Sequence, residues 1–100
     1  MAEAVILEFT GVGEDEYDAV NGKLGIDPVT GTGDWPKGLL THAAGTSETG
    51  TFVVLEVWDS RQAQAEFMHS RLGEALAAGG VTSPPKVTWV PLRAYQNPGI

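Results

Sequence analysis

Two short segments of this chain are apolar at almost every position, which restricts it to folds whose sheet is covered on both faces. Ala4 to Phe9 reads AVILEF, and Thr51 to Trp58 reads TFVVLEVW. Runs of this length, rich in β-branched residues, are typical of central strands buried on both sides. Because alternate side chains of a strand point to opposite faces, each face of the sheet must contact apolar material.

The segments that follow these two strands predict two helices. Acidic residues at 14–16 favour the first turn of helix one, and Gly25 ends that helix. Asp59 or Ser60 caps helix two, which ends at Gly79-Gly80. The expected apolar faces are Tyr17, Val20 and Leu24 in helix one, and Ala65, Met68, Leu72, Ala75, Leu76 and Gly79 in helix two.

Two further strands give the order strand–helix–strand–strand–helix–strand. Leu39 to Gly45 forms a hairpin with Thr51 to Trp58 through the turn at 47–50. Lys86 to Leu92 is an edge or bulged strand, because Pro91 cannot donate to a neighbouring strand. Asp27 to Gly38 is expected to be a long irregular loop. The prediction is one α+β domain over residues 1–100, with two helices on one face of a four-stranded antiparallel sheet.

The second face of that sheet predicts a homodimer. Two helices cover one face, yet both central strands are apolar on both faces. In the first strand, Val5 and Leu7 point to one face, and Ala4 and Ile6 point to the other. The uncovered side is too apolar to lie in water. A second copy of the sheet, packed face to face, covers it.

The composition argues against several classes of function. The chain has 13 acidic and 6 basic residues, a net charge of −7, and its basic residues are scattered, so neither nucleic acid nor an anionic membrane is an expected partner. It has no cysteine, and its acidic residues lack the spacing of a calcium loop, so no metal site is predicted. No leader-like start and no long apolar run is present, which makes the cytoplasm the expected location.

The order of elements resembles that of the ferredoxin-like dimeric α+β barrel proteins. Residues 54–63, VLEVWDSRQA, resemble the junction of the third strand and second helix in the antibiotic-biosynthesis monooxygenase-like group. The resemblance implies a dimer joined sheet to sheet, with a pocket between sheet and helices. It also implies enzymes that oxidise polycyclic phenols or quinols without metal or flavin, beside a haem-degrading branch and members without known activity.

The chain departs from that pattern in its second helix. Many members of the group carry a histidine eleven residues after the motif glutamate, and counting from Glu56 that place holds Phe67. The haem-degrading branch has a tryptophan there and a histidine about ten residues further on, where this chain has Ala77. No cofactor, haem included, is therefore expected.

Three polar residues in the strands are the candidates for acid–base chemistry. Glu8 and Glu56 interrupt neighbouring apolar strands, so we expect the two carboxylates to lie close together and one to act as a general base. His42, on the strand beside Glu56, is the expected partner in proton transfer. The alternative is structural: carboxylates bonded at the dimer interface and a histidine satisfied within the fold.

Aromatic side chains predict the wall of a ligand pocket, although ordinary packing explains each of them as well. The pocket candidates are Tyr17, Trp35, Trp58, Phe67, His69 and Trp89. Two functional hypotheses follow. The first is a cofactor-independent monooxygenase-like enzyme acting on an aromatic or polycyclic small molecule, with His42 and Glu56 as catalytic residues. The second is a non-catalytic small-molecule-binding, structural or interaction dimer.

Overall fold

The computed structural model describes residues 2–96 and 98. The strands are β1 (Glu3–Phe9), β2 (Ile26–Asp27), β3 (Thr32–Gly33), β4 (Leu39–Thr46), β5 (Phe52–Trp58) and β6 (Lys86–Pro91). The helices are α1 (Glu14–Leu24), α2 (Arg61–Phe67), a π turn (Met68–Leu72) that continues α2, and α3 (Gly73–Ala78). The four longer strands, β1, β4, β5 and β6, and the two helical segments follow each other in the predicted ferredoxin-like order, which confirms the α+β fold class.

The main sheet is antiparallel and has the strand order β4-β5-β1-β6. The two apolar strands, β1 and β5, are the central pair, as their composition predicts. The strand that contains Pro91 lies at one edge, also as predicted. A register shift between Leu39 and Thr41 bends β4 at the other edge, just before His42.

The helices cover one face of the sheet. Val5, Leu7 and Phe9 of β1 are buried on this covered face, and so are Phe52, Val54, Glu56 and Trp58 of β5. The opposite face, here called the open face, carries alternating residues that are only half-buried or exposed. They are Ala4, Ile6 and Glu8 on β1, Thr41, Ala43 and Gly45 on β4, Val53, Leu55 and Val57 on β5, and Lys86, Thr88 and Val90 on β6.

The strand register corrects the expected carboxylate pair. Val5 lies opposite Glu56, whereas Glu8 lies opposite Val53 on one side and Lys86 on the other. Because directly paired residues share a face, Glu56 points to the covered face and Glu8 to the open face. The two carboxylates are separated by the sheet itself, and the prediction that they form an acid–base pair is wrong.

The π turn corrects the predicted face of the second helix. Gly73 N–H donates to the carbonyl of Met68, five residues earlier, which inserts an extra residue into the helical repeat. Phe67 and Leu72 are therefore both buried, while Ala65 from the predicted stripe is exposed. Among the described residues, no helix has the length and apolar character needed to cross a membrane.

The segment predicted as an irregular loop contains a short hairpin. Ile26 pairs with Gly33 and Asp27 with Thr32. The Asp27 carboxylate accepts hydrogen bonds from the backbone N–H groups of Val29 and Thr30 at 3.0 and 3.3 Å, which closes the turn. Strands of two residues are too short to produce an alternating pattern, so the sequence did not predict them.

Candidate functional site

A continuous line of hydrogen-bonded side chains crosses the covered face of the sheet. The Tyr17 hydroxyl of α1 lies 2.5 Å from His42 Nε2, and His42 Nδ1 lies 2.8 Å from Glu56 Oε2. The other carboxylate oxygen, Glu56 Oε1, accepts from Trp58 Nε1 at 3.0 Å. Helix α1, edge strand β4 and central strand β5 each supply part of this line, which we call the Tyr17–Trp58 chain.

The chemistry of the partners fixes the direction of these bonds. A carboxylate only accepts, so both Trp58 Nε1–H and His42 Nδ1–H donate to Glu56. In neutral His42 the second nitrogen, Nε2, then accepts from the Tyr17 hydroxyl. The predicted proximity of His42 and Glu56 is confirmed, since the two residues lie directly opposite each other on β4 and β5. The arrangement orients His42 to receive a proton from the side of Tyr17.

Tyr17 is held in its neutral form. Burial raises the pKa of the Tyr17 hydroxyl above its usual 10.0, and the negative charge of Glu56 acts in the same direction, while a hydrogen bond from the Asn21 side chain lowers it. Its ring packs against Phe52, with centroids 5.1 Å apart, and lies parallel to the His42 ring at 6.0 Å. A neutral phenol can donate to His42 while its oxygen accepts a second hydrogen bond.

A narrow slot lies between α1 and the covered face, next to Tyr17. Its volume is about 50 Å³. The slot is lined by Phe9, Val12, Tyr17, Val20, Asn21, Phe52, Val54, Leu76 and Val81. We call it the inner slot. It corresponds to the place between sheet and helices where the resemblance predicts a ligand pocket.

A wider, more open cavity lies on the other side of His42, at the edge of the sheet. It has a volume of about 320 Å³ and is lined by Pro28, Gly31, Trp35, Leu39, Leu40, Thr41 and His42. We call it the outer basin. Trp35 and His42 lie in it with ring centroids 5.4 Å apart. The basin is thus formed by β4 and by the segment 26–38, which contains the β2–β3 hairpin and is called the hairpin segment.

The π turn fixes the segment that carries Trp35. The guanidinium of Arg71 donates to the carbonyl oxygens of Leu24 at 2.9 Å and Asp34 at 2.7 Å. The Asp34 carboxylate lies 3.4 Å from the same guanidinium, and Trp35 Nε1 donates to the Gly31 carbonyl at 3.1 Å. These bonds hold the Trp35 ring beside the histidine.

Four of the predicted pocket residues line neither cavity. Trp58 is completely buried and acts as a donor to Glu56 instead of as a pocket wall. Phe67 packs on the Trp58 ring at 5.8 Å, because the π turn rotates it into the core. Trp89 lies under the Arg61 guanidinium, 5.0 Å from the ring centroid, and His69 is exposed on the π turn.

Two other segments of the chain lie against the second helix and the sheet edge. Pro36 and Lys37, at the end of the hairpin segment, line a cavity together with Phe67, so this segment adjoins the ring. The hydroxyl of Tyr95 is hydrogen-bonded within the chain to the Thr41 hydroxyl on β4. Tyr95 therefore contacts the sheet edge of its own chain.

Sequence reasoning missed one residue of the site, Asn21. It lies on the buried side of α1 at 7% exposure and lines the inner slot. The signal was its spacing: Asn21 follows Tyr17 by four residues and Val20 by one, so it shares the apolar face of the helix. A polar residue on such a face is an informative observation.

Within residues 2–96 and 98, no group of three or more histidine, aspartate or glutamate side chains is arranged to hold a metal ion.

Comparison with known proteins gives structural matches only. No protein-family model and no curated protein sequence matches the chain. The structure of Rv0793 from Mycobacterium tuberculosis is 26% identical, with a TM-score of 0.64 over 96% of this chain and 100% of that one. A monooxygenase from the gene ActVA-Orf6 of Streptomyces coelicolor, in complex with nanaomycin D, is 24% identical, with a TM-score of 0.57 over 97% and 91%.

A third match comes from Chloroflexus aurantiacus, from a protein described as a candidate antibiotic biosynthesis monooxygenase. It is 16% identical, with a TM-score of 0.62 over 96% of this chain and 98% of that one. The chain has the ferredoxin-like fold of the antibiotic biosynthesis monooxygenase-like proteins. The resemblance inferred from residues 54–63 is thereby confirmed, and at these identities the likeness establishes the fold.

Proposed function

We propose that the chain is a monooxygenase-like enzyme that removes a proton from an aromatic or polycyclic hydroxyl compound. The observation that carries this proposal is the Tyr17–Trp58 chain, which links the wall of an apolar slot to a buried carboxylate. The fold of the neighbours, one of which is a monooxygenase holding nanaomycin D, supports the same class of ligand.

The hydrogen bonds define one route for the proton. Both nitrogens of His42 are already bonded, so a ligand reaches this base only through the Tyr17 oxygen. The ligand hydroxyl donates to Tyr17 while the Tyr17 proton moves to His42 Nε2. The resulting imidazolium is stabilised by Glu56, which is fixed in turn by Trp58. His42 is the general base in this scheme, Tyr17 carries the proton, and Glu56 orients the ring.

Removal of that proton prepares the ligand for reaction with dioxygen. The phenolate delocalises its charge onto the ring carbon opposite the oxygen, where dioxygen attacks. That carbon becomes a second carbonyl and keeps one oxygen atom of dioxygen. The other oxygen atom leaves as water with the hydrogen of that ring carbon and the proton that was taken from the hydroxyl. Electrons and atoms then balance between ligand and dioxygen, so this chemistry needs no further reductant, in agreement with the activity that the resemblance implies.

We further propose that the working form is a homodimer joined through the open face. Leu55 and Val90 on this face are 48% and 42% exposed. Ile6 lies beside Leu55 on the neighbouring strand, and Val53 is the next residue of β5 on the same face. Such a band of apolar side chains across a sheet is a typical association surface.

The test is turnover of a hydroxylated aromatic panel, beginning with nanaomycin D and dihydroxynaphthalenes and followed by oxygen uptake. His42→Asn and Tyr17→Phe should each lower kcat by roughly 10²- to 10⁴-fold, because each interrupts proton transfer. The matched control is His69→Gln, which changes the other histidine of the chain, exposed and outside the site, and should leave kcat unchanged.

Two outcomes would contradict the proposal. Equal losses in His42→Asn and His69→Gln would show that the base lies elsewhere. Binding of panel compounds without oxygen uptake in the unmodified protein would favour the second hypothesis, a non-catalytic binding dimer, because the same slot would then hold a ligand without reacting.

A further inference from the structure

Arg71 bridges two elements that are separate in the sequence. Its nitrogen Nη2 donates to the carbonyl oxygen of Leu24 at 2.9 Å and to that of Asp34 at 2.7 Å. Leu24 is the last residue of α1, the helix that carries Tyr17, and Asp34 directly precedes Trp35. One nitrogen atom therefore uses both of its hydrogens to join α1 to the hairpin segment.

The two bridged elements meet again at His42. The Tyr17 ring lies parallel to the His42 ring with centroids 6.0 Å apart, and the Trp35 ring lies at 5.4 Å from it. The Tyr17 hydroxyl is also the partner of His42 Nε2, at 2.5 Å. The position of α1 relative to the hairpin segment thus determines how closely both rings approach the base.

The backbone of Asp34 controls the direction in which the chain continues to Trp35. The Asp34 carbonyl belongs to the peptide bond that leads into Trp35, and because this unit is planar, a bond to the carbonyl also orients the next residue. The Asp34 N–H group donates to the Gly25 carbonyl at 2.9 Å. With Arg71 bound to the carbonyl, both backbone polar groups of Asp34 are fixed against the end of α1.

Two other contacts of Arg71 do not produce this connection. The Asp34 carboxylate lies 3.4 Å from the guanidinium, but it is 81% exposed, and ion pairs with so exposed a member contribute little. The guanidinium also lies 5.3 Å from the centroid of the Phe67 ring, a contact that covers the core without reaching Trp35. The bonds to the two carbonyls are the ones that link Arg71 to both sides of the site.

We infer that Arg71 is a positioning residue for the proposed base. By bridging the end of α1 and the hairpin segment, it fixes the Tyr17 and Trp35 rings beside His42, although it lines neither the inner slot nor the outer basin. The π turn supplies this residue, and π turns are frequent at functional sites. The effect of Arg71 on proton transfer rests on the proposed function, whereas its hold on Trp35 does not.

The experiment combines NMR of the ligand-free protein with turnover of the hydroxylated aromatic panel. Arg71→Met keeps an unbranched side chain and removes the donors, so it should weaken the nuclear Overhauser effect between the Trp35 and His42 rings. The indole N–H of Trp58, bonded to Glu56 in the core, should keep its protection from exchange. The variant should lower kcat roughly 10- to 100-fold and leave KM unchanged, because a small misplacement away from the ligand impairs the reaction step.

Three further variants make the test specific. Arg71→Lys keeps a cation with three donors, so its Overhauser effect and kcat should lie closer to those of the unmodified protein than the values of Arg71→Met do. Asp34→Asn removes the exposed carboxylate, keeps the backbone carbonyl and should change neither readout. Arg61→Met removes an arginine that pairs with Glu3 and lies over Trp89, outside both cavities, and should also change neither.

Each contrary result has its own meaning. An unchanged Overhauser effect in Arg71→Met would overturn the inference, and so would a loss of Trp58 protection, which indicates general loosening of the core. Equal losses in Arg71→Met and Asp34→Asn would assign the effect to the ion pair and overturn the role of the carbonyl bonds. If the unmodified protein shows no turnover, the proposed function fails, and the Overhauser effect by itself then decides whether Arg71 holds Trp35.

Discussion

Glu56 and Glu8 lie on opposite faces of the sheet, and their environments differ in burial and in hydrogen bonding. Glu56, on the covered face, is 7% exposed and holds two donors, His42 Nδ1 and Trp58 Nε1. Glu8, on the open face, is half-buried and lies in register between Val53 and Lys86. The same residue type thus belongs to a hydrogen-bonded chain on one face and to an apolar surface on the other.

The difference shows how one sheet separates two tasks. A buried carboxylate persists only where hydrogen bonds replace its hydration, so the polar atoms of the covered face form a connected line. A surface for association needs apolar area and tolerates a charged pair among it. In our proposals the covered face holds the reaction site and the open face forms the dimer interface, and three measurements test this division.

The largest effect is expected from truncation of the two glutamates. Glu56→Ala leaves the His42 and Trp58 donors without an acceptor in the core and should lower the free energy of unfolding by about 3 kcal/mol or more. Glu8→Ala should change it by less than about 0.5 kcal/mol. Urea denaturation at one fixed protein concentration measures both, and similar losses in the two variants would remove the contrast between the faces.

A smaller effect is expected when a charge is placed on the open face. Leu55→Asp should weaken self-association roughly 100-fold, or about 2.7 kcal/mol, because the carboxylate would be buried between two sheets. Leu40 has the same 48% exposure but lines the outer basin, so Leu40→Asp is the matched control. Analytical ultracentrifugation gives the dimer fraction, and an intact Leu55→Asp dimer would exclude the open face as the interface.

The smallest effect concerns alkaline pH. The pKa of Tyr17 is raised in the folded protein, so above pH 10 the unfolded chain loses this proton before the folded chain does. The contribution of Tyr17 to stability is then complete below pH 10 and declines as the pH rises further. Between pH 9 and pH 11, the free energy of unfolding should decline less steeply with pH in Tyr17→Phe than in the unmodified protein. Denaturation at several pH values measures this, and identical slopes would contradict the assigned burial of the phenol.

The sequence predicted the sheet well because its signals are local. Residues 4–9 and 51–58 are apolar on both faces, and the structure places them at the centre. Pro91 predicted an edge strand, and the strand that contains it is at an edge. These inferences depend on what one segment needs from its surroundings, and such needs can be read from composition and alternation.

The site was only partly predictable, because its geometry depends on register and helix phase. The pairing of His42 with Glu56 followed from adjacent strands, but the position of Glu8 depended on which residues lie opposite each other, and a shift of one residue reverses every face. The predicted apolar face of helix two omitted Phe67 because it assumed a regular 3.6-residue repeat. The π turn broke that repeat, and the sequence carries no distinct signal for such a turn.

By itself, the sequence determined the order of elements, the identity of the central strands and the adjacency of His42 and Glu56 on neighbouring strands, since each of these follows from short-range pattern. The tertiary structure alone decided that Tyr17 of α1 reaches His42 of β4, twenty-five residues away, and that Asn21 of α1 is buried against the same slot. Contacts between separate elements depend on how helix and sheet pack against each other. That packing is settled by the whole core, and no single segment encodes it.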